Sequence, residues 1–191
     1  SRGMSALSPP LYQARRPGQD LFVPARGLVH HLTVWGSPSD VTPERPALVL
    51  GHGYMDVGAS FQFLVDELAA LEGPIRYIVA PDWRGFGLTR APAGTDQFWF
   101  ADYLGDLEAW LDAPALGLTP DQAIDLLGHS MGGNIVMSYA GARPQRIRRL
   151  INLEGFGLPR TQPEKAPEHL ARWLDALKTP QSLRDYDSVD A

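Results

Sequence analysis

Two patterns alternate along this chain, and their alternation leaves few folds open. Short, predominantly apolar runs at 47–50, 75–80, 123–127 and Ile147–Leu153 are separated by stretches whose apolar residues recur at helical spacing. Phe61, Leu64, Val65, Leu68 and Leu71 share one helical face, and Phe100, Tyr103, Leu104, Leu107 and Leu111 share another. A strand apolar on both faces needs cover on both, and intervening helices supply it. The expected class is therefore α/β, a mostly parallel central sheet with helices on both faces. An outer strand is expected at Leu28–Trp35, and a small-residue helix at Met131–Ala142, ended by Pro144. In such sheets the ligand site lies at the carboxyl ends of the strands. The Gly-rich turns 51–53, 82–87 and 128–133 fall there.

The 191 residues suit one main domain. Residues 1–20 read as a loose lead-in, with Ser1-Arg2-Gly3 an expression remnant before Met4. Residues 21–156 read as the core and 157–191 as the start of a lid. That last part holds a proline-bearing loop, then an amphipathic helix over 168–178 with Leu170, Trp173, Leu174 and Leu177 on one face.

The balance of 17 Lys+Arg against 22 Asp+Glu leaves a net charge of −5, with no basic excess to neutralise phosphates, so no nucleic-acid partner is expected. Arg146, Arg148 and Arg149 alternate with apolar residues and read as the solvent face of a strand. No apolar run reaches the ~20 residues of a membrane helix, and the N-terminus lacks a signal-peptide apolar region, so no membrane association is expected. The chain has no cysteine, which excludes disulfides and thiolate chemistry and fits a reducing, cytoplasmic setting. No H-E-x-x-H or similar spacing points to a metal.

Gly128-His129-Ser130-Met131-Gly132 matches G-x-S-x-G between an expected strand and an expected helix, the setting that motif requires. The glycines clear space for a tight strand-to-helix turn, which lifts Ser130 Oγ above the sheet. The free amides of the helix start, Met131 first, face developing negative charge. The competing reading is a serine capping a helix among packing glycines. Gly51-His52-Gly53-Tyr54 follows the first buried strand, and its turn can aim the Tyr54 N–H at the same oxygen, a two-donor oxyanion hole with Met131. A dinucleotide fingerprint fails there because Asp56 stands where the third glycine belongs, and no Walker sequence exists. Asp82 and Arg84, in Asp82-Trp83-Arg84-Gly85-Phe86-Gly87, read as turn braces. His30 and His31 are expected to face solvent from an early strand, and His52 and His129 to brace loops.

Taken together, His52-Gly53-Tyr54-Met55-Asp56, Asp82-x-Arg84-Gly85-x-Gly87 and Gly128-His129-Ser130-Met131-Gly132-Gly133 resemble the α/β-hydrolase superfamily in order and spacing. The Leu153-Glu154-Gly155 turn and the helix after it look like the serine hydrolase-like, esterase-type group. The resemblance implies Ser130 as nucleophile, Tyr54 and Met131 amides as oxyanion hole, no cofactor and a small or medium ester-like substrate. It also implies structural roles for Asp56, Asp82 and Arg84. A serine at the elbow speaks against haloalkane dehalogenases and epoxide hydrolases, which carry aspartate there. The superfamily places its triad acid and histidine after the nucleophile. Here Glu154 is either an alternative acid or a turn- or lid-facing glutamate, and His169 reads as a lid residue rather than the base. The expectation is a chain truncated before its catalytic acid and histidine, with a cap at Ser188 lacking its helix. The competing class is a non-catalytic α/β-hydrolase-fold binding protein.

Overall fold

Arg26 and Gly27, at φ 50° and 76°, form a two-residue turn joining β1 (Gln19–Ala25) to β2 (Leu28–Trp35). Two successive positive-φ residues give the primed turn whose twist matches the flanking strands, and glycine takes that geometry at no steric cost. The computed structural model describes residues 13–72, 76–95 and 99–153. The expectations for Glu154, His169, the 168–178 helix, the lid and the Ser188 cap lie outside them.

From the hairpin the chain continues through β3 (Ala47–Gly51), α1 (Gln62–Glu72), β4 (Ile78–Pro81), α2 (Phe100–Leu111), β5 (Ile124–His129), α3 (Met131–Ala142) and β6 (Ile147–Leu153). The strands form one sheet in the order β1-β2-β4-β3-β5-β6. β1, β2 and β4 pair antiparallel, while β4, β3, β5 and β6 run parallel. The apolar runs are explained by alternation across this sheet. Val49 and Leu126 enter a core with Trp110, Leu107, Ile135 and Val136 of α2 and α3. Leu48, Leu50 and Leu127 enter a second core with Leu64, Val65 and Leu68 of α1.

Several expectations need correction. Leu28–Trp35 is not the outer strand, because β1 takes the edge, beginning inside the segment read as lead-in. Polar Asp20 and Pro24 hide β1 from a hydrophobic pattern, and a proline is tolerated in an edge strand. The fourth strand begins at Ile78, later than expected. Leu71 and Phe100 end their helical faces exposed. His30 and His31 do not face solvent: both are buried, because β2 lies between two strands and neighbouring residues on it point to opposite covered faces. The arginine stretch is not a plain solvent face either. Arg146 is buried and pairs with Asp112, and Arg148 grips buried Asp125 through Nε and Nη2 at 3.0 and 2.7 Å. Arg76 pairs with the same carboxylate.

Candidate functional site

The carboxyl ends of β3, β5 and β6 lie side by side, with Gly51 opposite Gly128 and Gly128 opposite Asn152. Ser130 stands at this edge, between the last residue of β5 and the first of α3, exposed and at φ 56°, ψ −119°. That pair lies outside the ordinary left-handed region, so any residue with a Cβ is strained there. The serine occupies the cap position of α3, yet its hydroxyl makes no capping bond. The hydroxyl is therefore not committed to the helix, and the first-turn amides, Met131 among them, have no intrahelical acceptor.

Contacts too close for any side chain enforce the turn. A Cβ on Gly132 would strike the carbonyl oxygens of Gly51 and His52, and one on Gly128 would strike the Gly132 carbonyl. A Cβ on Gly53 would lie 3.3 Å from Ser130 Cβ and 3.2 Å from His129 Nδ1. The turn carrying Gly53 and Tyr54 is thus packed directly on the serine. Its next residue, Met55, is also at positive φ, 61°, and both Tyr54 and Met55 are exposed.

Behind this surface two loops are tied together. His52 is buried, its Nδ1 donates to Gly53 O at 2.7 Å, and its Nε2 accepts the Trp83 amide at 3.0 Å. The Trp83 indole N–H returns a bond to His52 O at 3.0 Å. Burial holds the His52 pKa below the ordinary histidine value. Arg84 makes a bidentate pair with buried Asp106 of α2 at 2.7 and 2.8 Å. Asp82 accepts from the Gly58 and Leu88 amides at 2.9 and 3.0 Å, so both residues brace turns. Asp56 accepts from Ser60 Oγ and the Val57 amide within its own turn.

The structure thus brings Ser130, Met131 and the Tyr54 turn to one sheet edge. His30 stays away from it, its Nε2 donating to Ala25 O at 3.0 Å. Among the described residues no cluster of three or more His, Cys, Asp or Glu could hold a metal ion, and no helix is long and apolar enough to cross a membrane. Sequence reasoning missed the pairing of His31 with Asp82 and Asp20. The adjacent histidines on one strand signalled only that they cannot both face solvent in a covered sheet, not which partners they meet.

Residues 46–187 match the family model for the α/β-hydrolase fold. Over 115 residues the chain is 32% identical to epoxide hydrolase 3 of Siraitia grosvenorii, covering 60% of this chain and 34% of that protein. Over 131 residues it is 34% identical to a cis-3-alkyl-4-alkyloxetan-2-one decarboxylase of Shewanella oneidensis, covering 66% and 37%. The chain therefore spans about a third of the length of these curated relatives. Among solved structures, the thioesterase domain from the curacin biosynthetic pathway superposes with a TM-score of 0.58 at 26% identity, over 86% of this chain and 55% of that one.

Proposed function

The chain belongs to the α/β-hydrolase fold family, and on that premise we propose that it is a serine hydrolase acting on a small or medium carboxylic ester. Ser130 Oγ attacks the ester carbonyl, and its proton passes to a general base. The Tyr54 and Met131 amides receive the oxyanion of the tetrahedral intermediate. Collapse of that intermediate expels the alcohol, which takes the proton, and water then cleaves the acyl-serine to release the acid. The observation that carries this reading is the backbone of Ser130, strained at φ 56°, ψ −119° with a hydroxyl left free by the helix it caps. Strain of this kind collects at functional sites. Serine rather than aspartate at this position favours acyl transfer over the epoxide opening named for one relative. The acid and base fall to residues after Ser130, and no histidine follows it among the described residues.

A fluorophosphonate probe distinguishes this reading from a non-catalytic binding protein, because it labels an activated serine and ignores an ordinary one. Labelling is expected at Ser130, located by peptide mass spectrometry. In the full-length protein, Ser130→Ala is expected to lose ester hydrolysis by about 10³-fold or more. Labelling elsewhere, or activity retained in the alanine variant, overturns the assignment.

A further inference from the structure

His31 has no role in the chemistry above, yet its surroundings are built around it. The residue is 5% exposed, and its ring packs on Phe22, ring centroids 5.0 Å apart. Nδ1 lies 2.6 Å from Asp82 Oδ2, and Nε2 lies 2.7 Å from Asp20 Oδ1. An ionised carboxylate only accepts, and only an imidazolium offers two N–H donors. Both contacts are satisfied together by the cation alone; a neutral ring would turn a lone pair on one carboxylate.

Asp82 is the next link. Its Oδ1 accepts the Gly58 amide, in the segment leaving the Tyr54 turn, and its Oδ2 accepts the Leu88 amide, in the turn after β4. Gly58 is wedged so that an added Cβ would lie 2.9 Å from Pro81 O. The His31 backbone is held as well, its amide donating to Thr89 Oγ1 at 2.9 Å and its carbonyl accepting the Asp82 amide at 2.9 Å. One ring therefore sits where the hairpin, the Tyr54 segment and the 82–89 turn meet.

We propose that His31 is a positioning residue: its imidazolium orients Asp82, and Asp82 holds the Gly58 and Leu88 amides that anchor the Tyr54 turn beside Ser130 and the 82–89 turn, whose Phe86 packs on Tyr54. The inference rests on the reading of Ser130 and Tyr54 as the reactive site. The groups facing the ring are Asp20 and Phe22 from β1 and Asp82 from the segment after β4, while the Thr89 hydroxyl holds the His31 backbone amide. Burial by itself lowers a histidine's pKa, but here the bonds to Asp20 and Asp82 outweigh it and raise the value. The clamp is complete at and below the ordinary value of about 6.5 and is lost as pH rises through the raised one.

The test follows the whole chain by NMR, titrating the His31 ring and reading amide-exchange protection at Gly58 and Leu88 at each pH. His31 is expected to keep its proton above about 6.5, and protection at both amides to fall at least about tenfold as the proton leaves. Asp20→Asn, at an exposed carboxylate, is expected to move both transitions together to lower pH, and it serves where His31→Gln does not fold. A ring that titrates at or below about 6.5, or protection unchanged across its titration, overturns the clamp. At a pH between the two chains' His31 midpoints as titrated, Asp20→Asn is expected to take the fluorophosphonate at Ser130 at least about threefold more slowly than the unaltered chain, and equal rates overturn the positioning role. If neither chain labels at any pH while protection still follows the His31 titration, the clamp stands and the serine hydrolase reading fails.

Discussion

Nε2 of His52 accepts the amide hydrogen of Trp83 at 3.0 Å, which leaves the ring room for one proton only, on the Nδ1 that donates to Gly53. His31 is the reverse case, with both nitrogens donating to carboxylates. The two rings therefore answer pH in opposite senses.

Burial lowers the folded-state pKa of His52 and of His30, so the unfolded chain binds more protons and stability rises with pH there. That contribution is present above about 6.5 and is lost as pH falls through the folded values. His31, raised, contributes below about 6.5 and loses its contribution as pH climbs through its own value. Thermal unfolding across pH 5 to 9 should show a maximum near neutrality. His31→Gln should flatten the alkaline limb and spare the acid one. A Tm independent of pH on the alkaline side of the unaltered protein would contradict this.

Ser130 is held in a conformation that costs a residue with a Cβ about 1–3 kcal/mol. Ser130→Gly should relieve that strain and stabilise the fold by about 0.5–2 kcal/mol even after glycine's greater unfolded-state entropy. Ser130→Ala keeps the Cβ and should leave stability unchanged. Urea unfolding of the three chains checks the order, and a glycine variant less stable than the alanine one would refute it.

Gly132 and Gly141 lie on the same helix with opposite surroundings. A methyl group at Gly132 meets two carbonyl oxygens of the β3 turn, whereas at Gly141 it meets nothing within 4 Å. Gly132→Ala should cost about 3 kcal/mol or prevent folding, since backbone rather than a side chain must move. Gly141→Ala should stabilise by about 0.5–1 kcal/mol through helix propensity. Circular dichroism melts of the pair decide it.

Asp125 is buried between Arg76 and Arg148 at the end of the sheet remote from Ser130. Removing it strands two guanidinium groups, and Asp125→Ala should cost about 3–5 kcal/mol. Arg148→Ala leaves the Arg76 pair in place and should cost less than half of that. Denaturant midpoints at constant slope measure both.

The parallel strands and the helices behind them were legible because Leu48, Val49 and Leu50 have no polar alternative in a sheet covered on both faces. The strand–serine–helix junction was legible because its glycines are demanded by backbone contacts that a motif records. β1 was not, since its polar and proline residues suit an edge and carry no apolar run. His31 was misread for a related reason. A histidine's burial is decided by partners such as Asp82, 51 positions away, and no local pattern encodes such a pairing.

The sheet order also dictates how this chain must find itself. The β1–β2 hairpin closes across two residues and can form within microseconds. β3, by contrast, pairs with β5 only when Ala47 meets Ile124, across more than seventy intervening residues. Loop entropy must be overcome before that contact returns anything, so this pairing should be the slow event of assembly. The Gly51–Gly132 contact depends on it. Ser130 thus acquires its strained backbone late, after the strands on either side have docked, and the elbow is a product of long-range closure rather than of the local sequence that spells it.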